Sequence, residues 1–420
     1  MLSRRAFLAS GCAVLAQARP VFAADLQARI DAATARREVL RLPAGVIATR
    51  GLTLPSGARL VGAPSGTTLK LLGDGPLIAA RRADRVSIEG VAFAGAAADA
   101  HDGGLLQFED AGFVTLDSCV VENATRDGLR FVRCGGRIAR STIRGAGRGG
   151  LFSLDGAGLT IEDNLIDSCG DNGVQIWQSA QRLDGARILG NRIRKIAARS
   201  GGTGQYGNGV SIFRAGGVRV ERNHVADCAF SALRDNSGHG VRFLENTCLR
   251  SGETAIFAEF AWRDVTISGN LIDGAASGVQ MVNFADHGGR GGVCAGNALR
   301  GLHRFRDGGG RQWGYECGLK LEAGIVATKN VVEGAPWVGA LIGWGPSLAD
   351  VRFEDNVVRD APIGVAVSVA PGAGRAVVAR NVIERASRSA IAAMEWDRIV
   401  GDLSREASRW PLLRAAGNRV

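Results

Sequence analysis

A chain of 420 residues with 60 glycines and only 6% aromatic residues carries about twice the usual glycine. That argues against ordinary globular domains and for an architecture of many tight turns around a narrow aliphatic interior. The net charge is +10, nearly all of it arginine, with lysine only at Lys70, Lys195, Lys320 and Lys329; such a surface suits uronate polymers, nucleic acid or anionic lipid, with arginine-rich codon usage as the competing explanation.

Residues 1–23 read as a twin-arginine export signal. Ser3-Arg4-Arg5-Ala6-Phe7-Leu8 matches the pattern, an apolar stretch from Ala6 to Ala18 follows, and Val21-Phe22-Ala23 offers small residues for cleavage before Ala24. Thirteen apolar residues are too few to span a bilayer. The expectation is therefore a periplasmic or secreted protein that meets the twin-arginine export machinery and has no stable membrane anchor. Leu8-Ala9-Ser10-Gly11-Cys12 resembles a lipoprotein box, but it sits too close to the arginines. Export argues against nucleic acid as a partner. Removing Arg4, Arg5 and Arg19 with the signal lowers the net charge from +10 to +7. The seven later cysteines show no metal spacing such as C-x2-C. They read as small buried apolar side chains, since such cargo folds in a reducing compartment.

Residues 24–420 read as one domain. Asp25 to Thr34 predicts a short amphipathic helix with Leu26, Ile30 and Ala33 on one face. It would cover the open edge of a first coil. Beyond it, internal repetition dominates. Leu159-Thr160-Ile161-Glu162-Asp163-Asn164-Leu165-Ile166 is echoed by Val265-Thr266-Ile267-Ser268-Gly269-Asn270-Leu271-Ile272 and by Val351-Arg352-Phe353-Glu354-Asp355-Asn356-Val357-Val358. The phrase recurs at Asn191, Asn223, Asn246, Asn297, Asn330 and Asn381, with a partial copy at Asn418. In earlier coils Cys119 and Ser141 stand where the asparagine would be. Each unit adds a second strand after Gly or Ala, such as Gly173-Val174-Gln175-Ile176-Trp177. Two or three short strands with period-two alternation, repeated about every 25 residues, make one coil of a β-solenoid. The recurrent asparagine would bond the turn backbone and its equivalent in the next coil, forming a structural ladder. The fold class is all-β: a single-stranded right-handed parallel β-helix with a short N-terminal capping helix.

Leu42-Pro43-Ala44-Gly45-Val46 and Leu52-Thr53-Leu54-Pro55-Ser56-Gly57-Ala58-Arg59-Leu60-Val61-Gly62 resemble the start of pectate-lyase-superfamily β-helices. With the export signal, Phe230-Ser231-Ala232-Leu233-Arg234-Asp235-Asn236, Ala258-Glu259-Phe260 and Gly343-Trp344-Gly345 are similar to a family of twin-arginine-translocated repeat proteins of unassigned activity. The resemblance spans residues 25 to 420 and implies fold and export; its superfamily holds lyases, hydrolases, epimerases and non-catalytic adhesins.

Function in such a fold lies on outward strand positions and long turns. Aligned second strands put Gln175, Ser211, Arg234, Phe257, Gln280 and Lys320 in one outward column, and Trp177, Phe213, Asn236, Glu259, Val282 and Glu322 in the next. Insertions at Ser200–Tyr206, Asp286–Gly292 and Arg304–Tyr315 flank them. Lyase or epimerase chemistry on a uronate needs a base, a cation for the carboxylate and an acid. Arg234 or Lys320 would be the base, and His287 or Tyr206 the acid. Hydrolysis would need a carboxylate pair, Glu259 with Glu322. Asn236, Asn283, Arg290 and Trp344 are the candidate substrate-binding residues. Each has a plainer reading: Arg234 and Glu259 as an ion pair between coils, Lys320 as a solvated strand residue, Trp344 as a surface cover. His224 follows a ladder asparagine and reads as structural. No cofactor is expected; calcium, which some relatives would want, finds no acidic ligand cluster. The leading expectation is a uronate lyase or epimerase on an anionic polysaccharide. A glycoside hydrolase and a non-catalytic glycan-binding or envelope scaffold protein are the alternatives.

Overall fold

The computed structural model describes residues 25–95, 103–202, 204–283, 287–305 and 316–420. The expected signal lies outside the described residues, as do Tyr315 and Trp313 of the third insertion and His101 on an alanine- and glycine-rich turn of the sequence.

Among the described residues the coils wind through three sheets of 15, 14 and 15 strands, and hydrogen-bonded neighbours recur every third strand in chain order up to the last coil. The pairing among the described residues is parallel except where Arg398–Asp402 folds back antiparallel on Ser389–Glu395. The result is a right-handed parallel β-helix, the hand that parallel crossovers take. Its interior is a stack of aliphatic columns. Val174, Val210, Leu233, Ile256, Val279 and Leu319 are in register through successive coils of the third sheet, and all are fully buried.

The glycine that opens many third-sheet strands marks an inner corner. A Cβ on Gly278 would lie 2.1 Å from Leu299 Cδ2, and one on Gly318 would lie 2.3 Å from Val332 Cγ1. Only a bare Cα lets the third sheet turn this tightly across the second.

The asparagine ladder has a single geometry. Asn191 Oδ1 accepts both the backbone N–H and the Nδ2 of Asn164, at 3.0 Å each, and Asn164 Nδ2 also donates to the Ile138 carbonyl at 2.9 Å. The same rung repeats up to Asn381, whose N–H and Nδ2 reach Asn418 Oδ1 at 3.0 and 2.9 Å. At the other end Asn164 Oδ1 accepts from the Ser141 N–H (2.9 Å), and Ser141 Oγ accepts from the Cys119 N–H (3.0 Å). The residue before the asparagine is left-handed, as at Asp163 (φ 54°), Glu245 (φ 55°) and Lys329 (φ 56°), which throws the side chain inward across the turn.

The N-terminal helix, Leu26–Ala35, buries Leu26, Ile30 and Ala33. Gln27 pairs like a strand residue with the first edge: Nε2 donates to the Thr53 carbonyl and Oε1 accepts the Thr53 N–H, both at 2.9 Å. The seven cysteines from Cys119 to Cys317 are all buried. Burial pushes the thiols of Cys248, Cys294 and Cys317 up to about 12, so they behave as apolar filling.

Candidate functional site

The outer face of the third sheet carries the site. Strand register places Gln175, Ser211, Arg234, Phe257, Gln280 and Lys320 in one outward column, and Trp177, Phe213, Asn236 and Glu259 in the next. Toward the C-terminus the first column turns apolar, through Leu341, Ala366 and Ala392. Trp337, Trp344 and Ile399 cover that end.

At the centre, Arg234 and Glu259 form a bidentate pair. Nε and a terminal guanidinium nitrogen each donate to a Glu259 oxygen at 2.8 Å. Both side chains are nearly buried, at 7% and 3% exposure. The plainer reading of this pair, an ion pair between coils, is therefore realised. Phe257 underlies the guanidinium, its ring centroid 4.7 Å from Cζ. Asn236 Nδ2 donates to Glu259 at 3.3 Å, and Glu253 lies 3.6 Å from Arg234 on the other side.

The pair divides a groove into two compartments. The first, about 500 Å³, is lined by Arg234, Glu253, Thr254, Gln280, Glu316, Lys320, Trp344 and apolar neighbours. Lys320 stands 5.3 Å above the Trp344 ring and 3.5 Å from Glu322. The second, about 470 Å³, is lined by Trp177, Phe213 and Phe260 with Gln205, Ser211, Asn236 and the shared Arg234 and Glu259. Its far wall is built by the long strand Asn172–Leu183. Gln181 latches that strand down by donating to the Ser237 carbonyl, two coils on, at 2.8 Å.

The remaining expected residues do not converge on the groove. Glu322 is buried beside it, its other oxygen accepting the Asn283 N–H at 2.7 Å. Asn283 also donates to the Ser347 carbonyl at 3.3 Å, a bracing role. His287 is exposed and meets Phe260 edge-on at 5.1 Å, outside the lining. Tyr206 is half-buried, and its neighbours Gly204 and Gln205 line the aromatic compartment in its stead. Arg290 starts a strand of the first sheet, level with Arg263. Glu253 and Glu316 are the acids that sequence reasoning passed over. Both sit one residue before a third-sheet strand, at Thr254 and Cys317.

Asp235 points the other way, into the coil. It is fully buried; Oδ1 accepts the Gly238 N–H at 3.0 Å, while Oδ2 has no hydrogen-bond partner. Burial, with the Glu259 charge adding to it, holds its carboxyl well above the usual range. The folded state therefore keeps the proton while the unfolded chain releases it above about pH 4. Stability falls as pH rises between the two values, by about 1.4 kcal/mol per pH unit at most. Asp235→Asn should raise the urea midpoint at pH 7 and lose that advantage near pH 4. An equal gain at both pH values would contradict the account.

No helix of the described residues is long and apolar enough to cross a membrane. A search of curated proteins returned no match. Among solved structures, the A-module of the Azotobacter vinelandii mannuronan C-5 epimerase AlgE6 is similar with a TM-score of 0.54 at 16% identity, over 72% of this chain and 93% of that one. The pre-mature gene product 12 of bacteriophage phi29 is similar with a TM-score of 0.53 at 11% identity, over 89% of this chain and 55% of that one. At those identities the likeness is one of fold. The model of the right-handed β-helix region matches residues 77–193 and 134–288, together just over half of the chain. By that match, and by the three parallel sheets wound from one strand, this chain belongs to the right-handed β-helix region family.

Proposed function

We propose that the chain is an exported carbohydrate-active enzyme, and that an acidic polysaccharide lies in the groove and is hydrolysed by a carboxylate pair, Glu253 and Glu316. The observation that carries the reading is the make-up of the first compartment, where Glu253, Glu259 and Glu316 face Arg234 and Lys320. Arg234 and Lys320 each hold an acid, Glu259 and Glu322. Both cations are thus engaged by carboxylates, a geometry that does not aim either of them at a sugar proton for elimination or epimerisation. Lys320, 5.3 Å from the Trp344 ring, suits the binding of a sugar carboxylate instead. Glu253 and Glu316 occupy the same pre-strand position two coils apart, about 9.6 Å at about 4.8 Å per coil. Side chains leaning toward each other from that backbone spacing bring two carboxylates within the range that leaves room for a water, as inverting hydrolysis needs. Glu259, tied to Arg234, positions that cation. The A-module of the mannuronan epimerase, which shares the fold at a TM-score of 0.54, comes from an enzyme of an acidic polysaccharide and supports this substrate class.

Incubation with alginate, pectate and glycosaminoglycans separates the readings. Hydrolysis predicts new reducing ends with no rise in absorbance near 235 nm, lost at least a hundredfold in Glu253→Gln and Glu316→Gln. A rise near 235 nm would establish a lyase instead. Retention on the polymers without any product would leave a glycan-binding or envelope scaffold protein, and NMR of the recovered polymer would detect epimerisation.

A further inference from the structure

We infer that the aromatic compartment is a subsite for an uncharged sugar unit, so that the polymer held by the groove mixes acidic with neutral residues. The inference rests on the reading of the groove as an acidic-polysaccharide site. Among the described residues that line this compartment, the charged ones are Arg234 and Glu259, and they hold each other through two 2.8 Å hydrogen bonds. A uronate carboxylate here would have to displace Glu259 from its guanidinium or lie against it, and burying it uncompensated is unfavourable. Arg214, stacked on Phe213 at 4.7 Å, is outside the lining and donates to the Ser179 carbonyl at 2.9 Å.

What the compartment offers is a ring surface and neutral hydrogen-bonding groups. Trp177 and Phe213 are neighbours in the column, their centroids 5.7 Å apart, and Phe260 stands across the cavity. Such rings match the C–H face of a pyranose. Asn236, Gln205 and Ser211 supply amide and hydroxyl partners for sugar hydroxyl or acetamido groups. The first compartment is the opposite case, with Lys320 beside the Trp344 ring ready for a carboxylate. From the Trp177 coil to the Lys320 coil is five register steps, about 24 Å at about 4.8 Å per coil. An oligosaccharide crossing the Arg234–Glu259 divider would therefore meet in turn an uncharged surface and one where Lys320 stands among glutamates.

Retardation in affinity gels tests this with the full chain. Hyaluronan and chondroitin serve as polymers in which uronate alternates with an uncharged unit, polygalacturonate and alginate as all-uronate polymers. The protein should be held more tightly by the first pair. Trp177→Leu keeps apolar bulk without a ring face; it should weaken the mixed polymers about fivefold to tenfold and leave the all-uronate polymers unchanged. Trp177→Phe should restore most of the loss, which a folding defect would not allow. Equal weakening on both polymer classes, tighter binding of the all-uronate pair, or an unaffected Trp177→Leu would overturn the subsite while leaving the acidic-polysaccharide reading in place. If the wild-type protein is retarded by none of the four, that reading falls and the subsite with it.

Discussion

Asn270→Ala is expected to destabilise the chain by about 3–5 kcal/mol, the penalty for several buried polar groups left without partners. Asn270 Oδ1 accepts the N–H and Nδ2 of Asn246 at 2.9 and 3.0 Å, and Asn270 Nδ2 donates to the Phe243 carbonyl at 2.9 Å and to Asn297 at 2.9 Å. Truncation removes the acceptor for two buried donors, and water cannot reach a side chain that is 1% exposed. The chain itself supplies a graded control. At the Ser141 rung a hydroxyl accepts the Cys119 N–H and donates to the Ala139 carbonyl at 2.8 Å, so Asn270→Ser should fall between wild type and Asn270→Ala. Urea unfolding followed by circular dichroism reads both midpoint and slope. Because coils contact mainly their neighbours, a rung broken in the middle should also lower the slope, as the two halves begin to unfold separately. An Asn270→Ala midpoint equal to wild type would mean the ladder is decoration.

The ladder was legible in the sequence because it obeys a period. Spacings of 23 to 33 residues between asparagines become hydrogen-bonded rungs, and Ser141 and Cys119 fall where the pattern put them. The outward column from Gln175 to Lys320 was legible for the same reason, since alternation fixes which side chains leave the coil. Glu253 and Glu316 were not, because each lies one residue ahead of its strand, where the turn and not the pleat aims the side chain. His287 and Tyr206 drew attention by residue type alone. They sit on insertions of non-repeating length, and no periodicity says where such side chains go. Arg290 illustrates a third failure: its strand belongs to the first sheet, so chain proximity to Asn283 did not bring it to the groove. Charge pairing was equally hidden. That Glu259 claims Arg234, and Glu322 approaches Lys320, depends on rotamers, which no periodicity fixes.

Arg234→Ala should cost about 3–5 kcal/mol, since it strands a buried carboxylate. Glu259 keeps Asn236 Nδ2 at 3.3 Å, a weak neutral donor, and at 3% side-chain exposure it gains little from water. Glu259→Ala should be milder, because Glu253 already lies 3.6 Å from Arg234 and can move closer. The order of the two single variants is therefore a test of the geometry. Replacing both partners with apolar groups, as in Arg234→Met with Glu259→Leu, should recover most of the loss, as buried ion pairs exchanged for apolar contacts often do. Thermal unfolding of the four proteins measures the coupling. Function should separate from stability in the double variant: if the pair orients a cation between two sugar subsites, the stable double variant will still lose polysaccharide retention. Retention at the wild-type level in that variant would reduce the pair to a structural clamp, leaving Lys320 as the cation that meets the polymer.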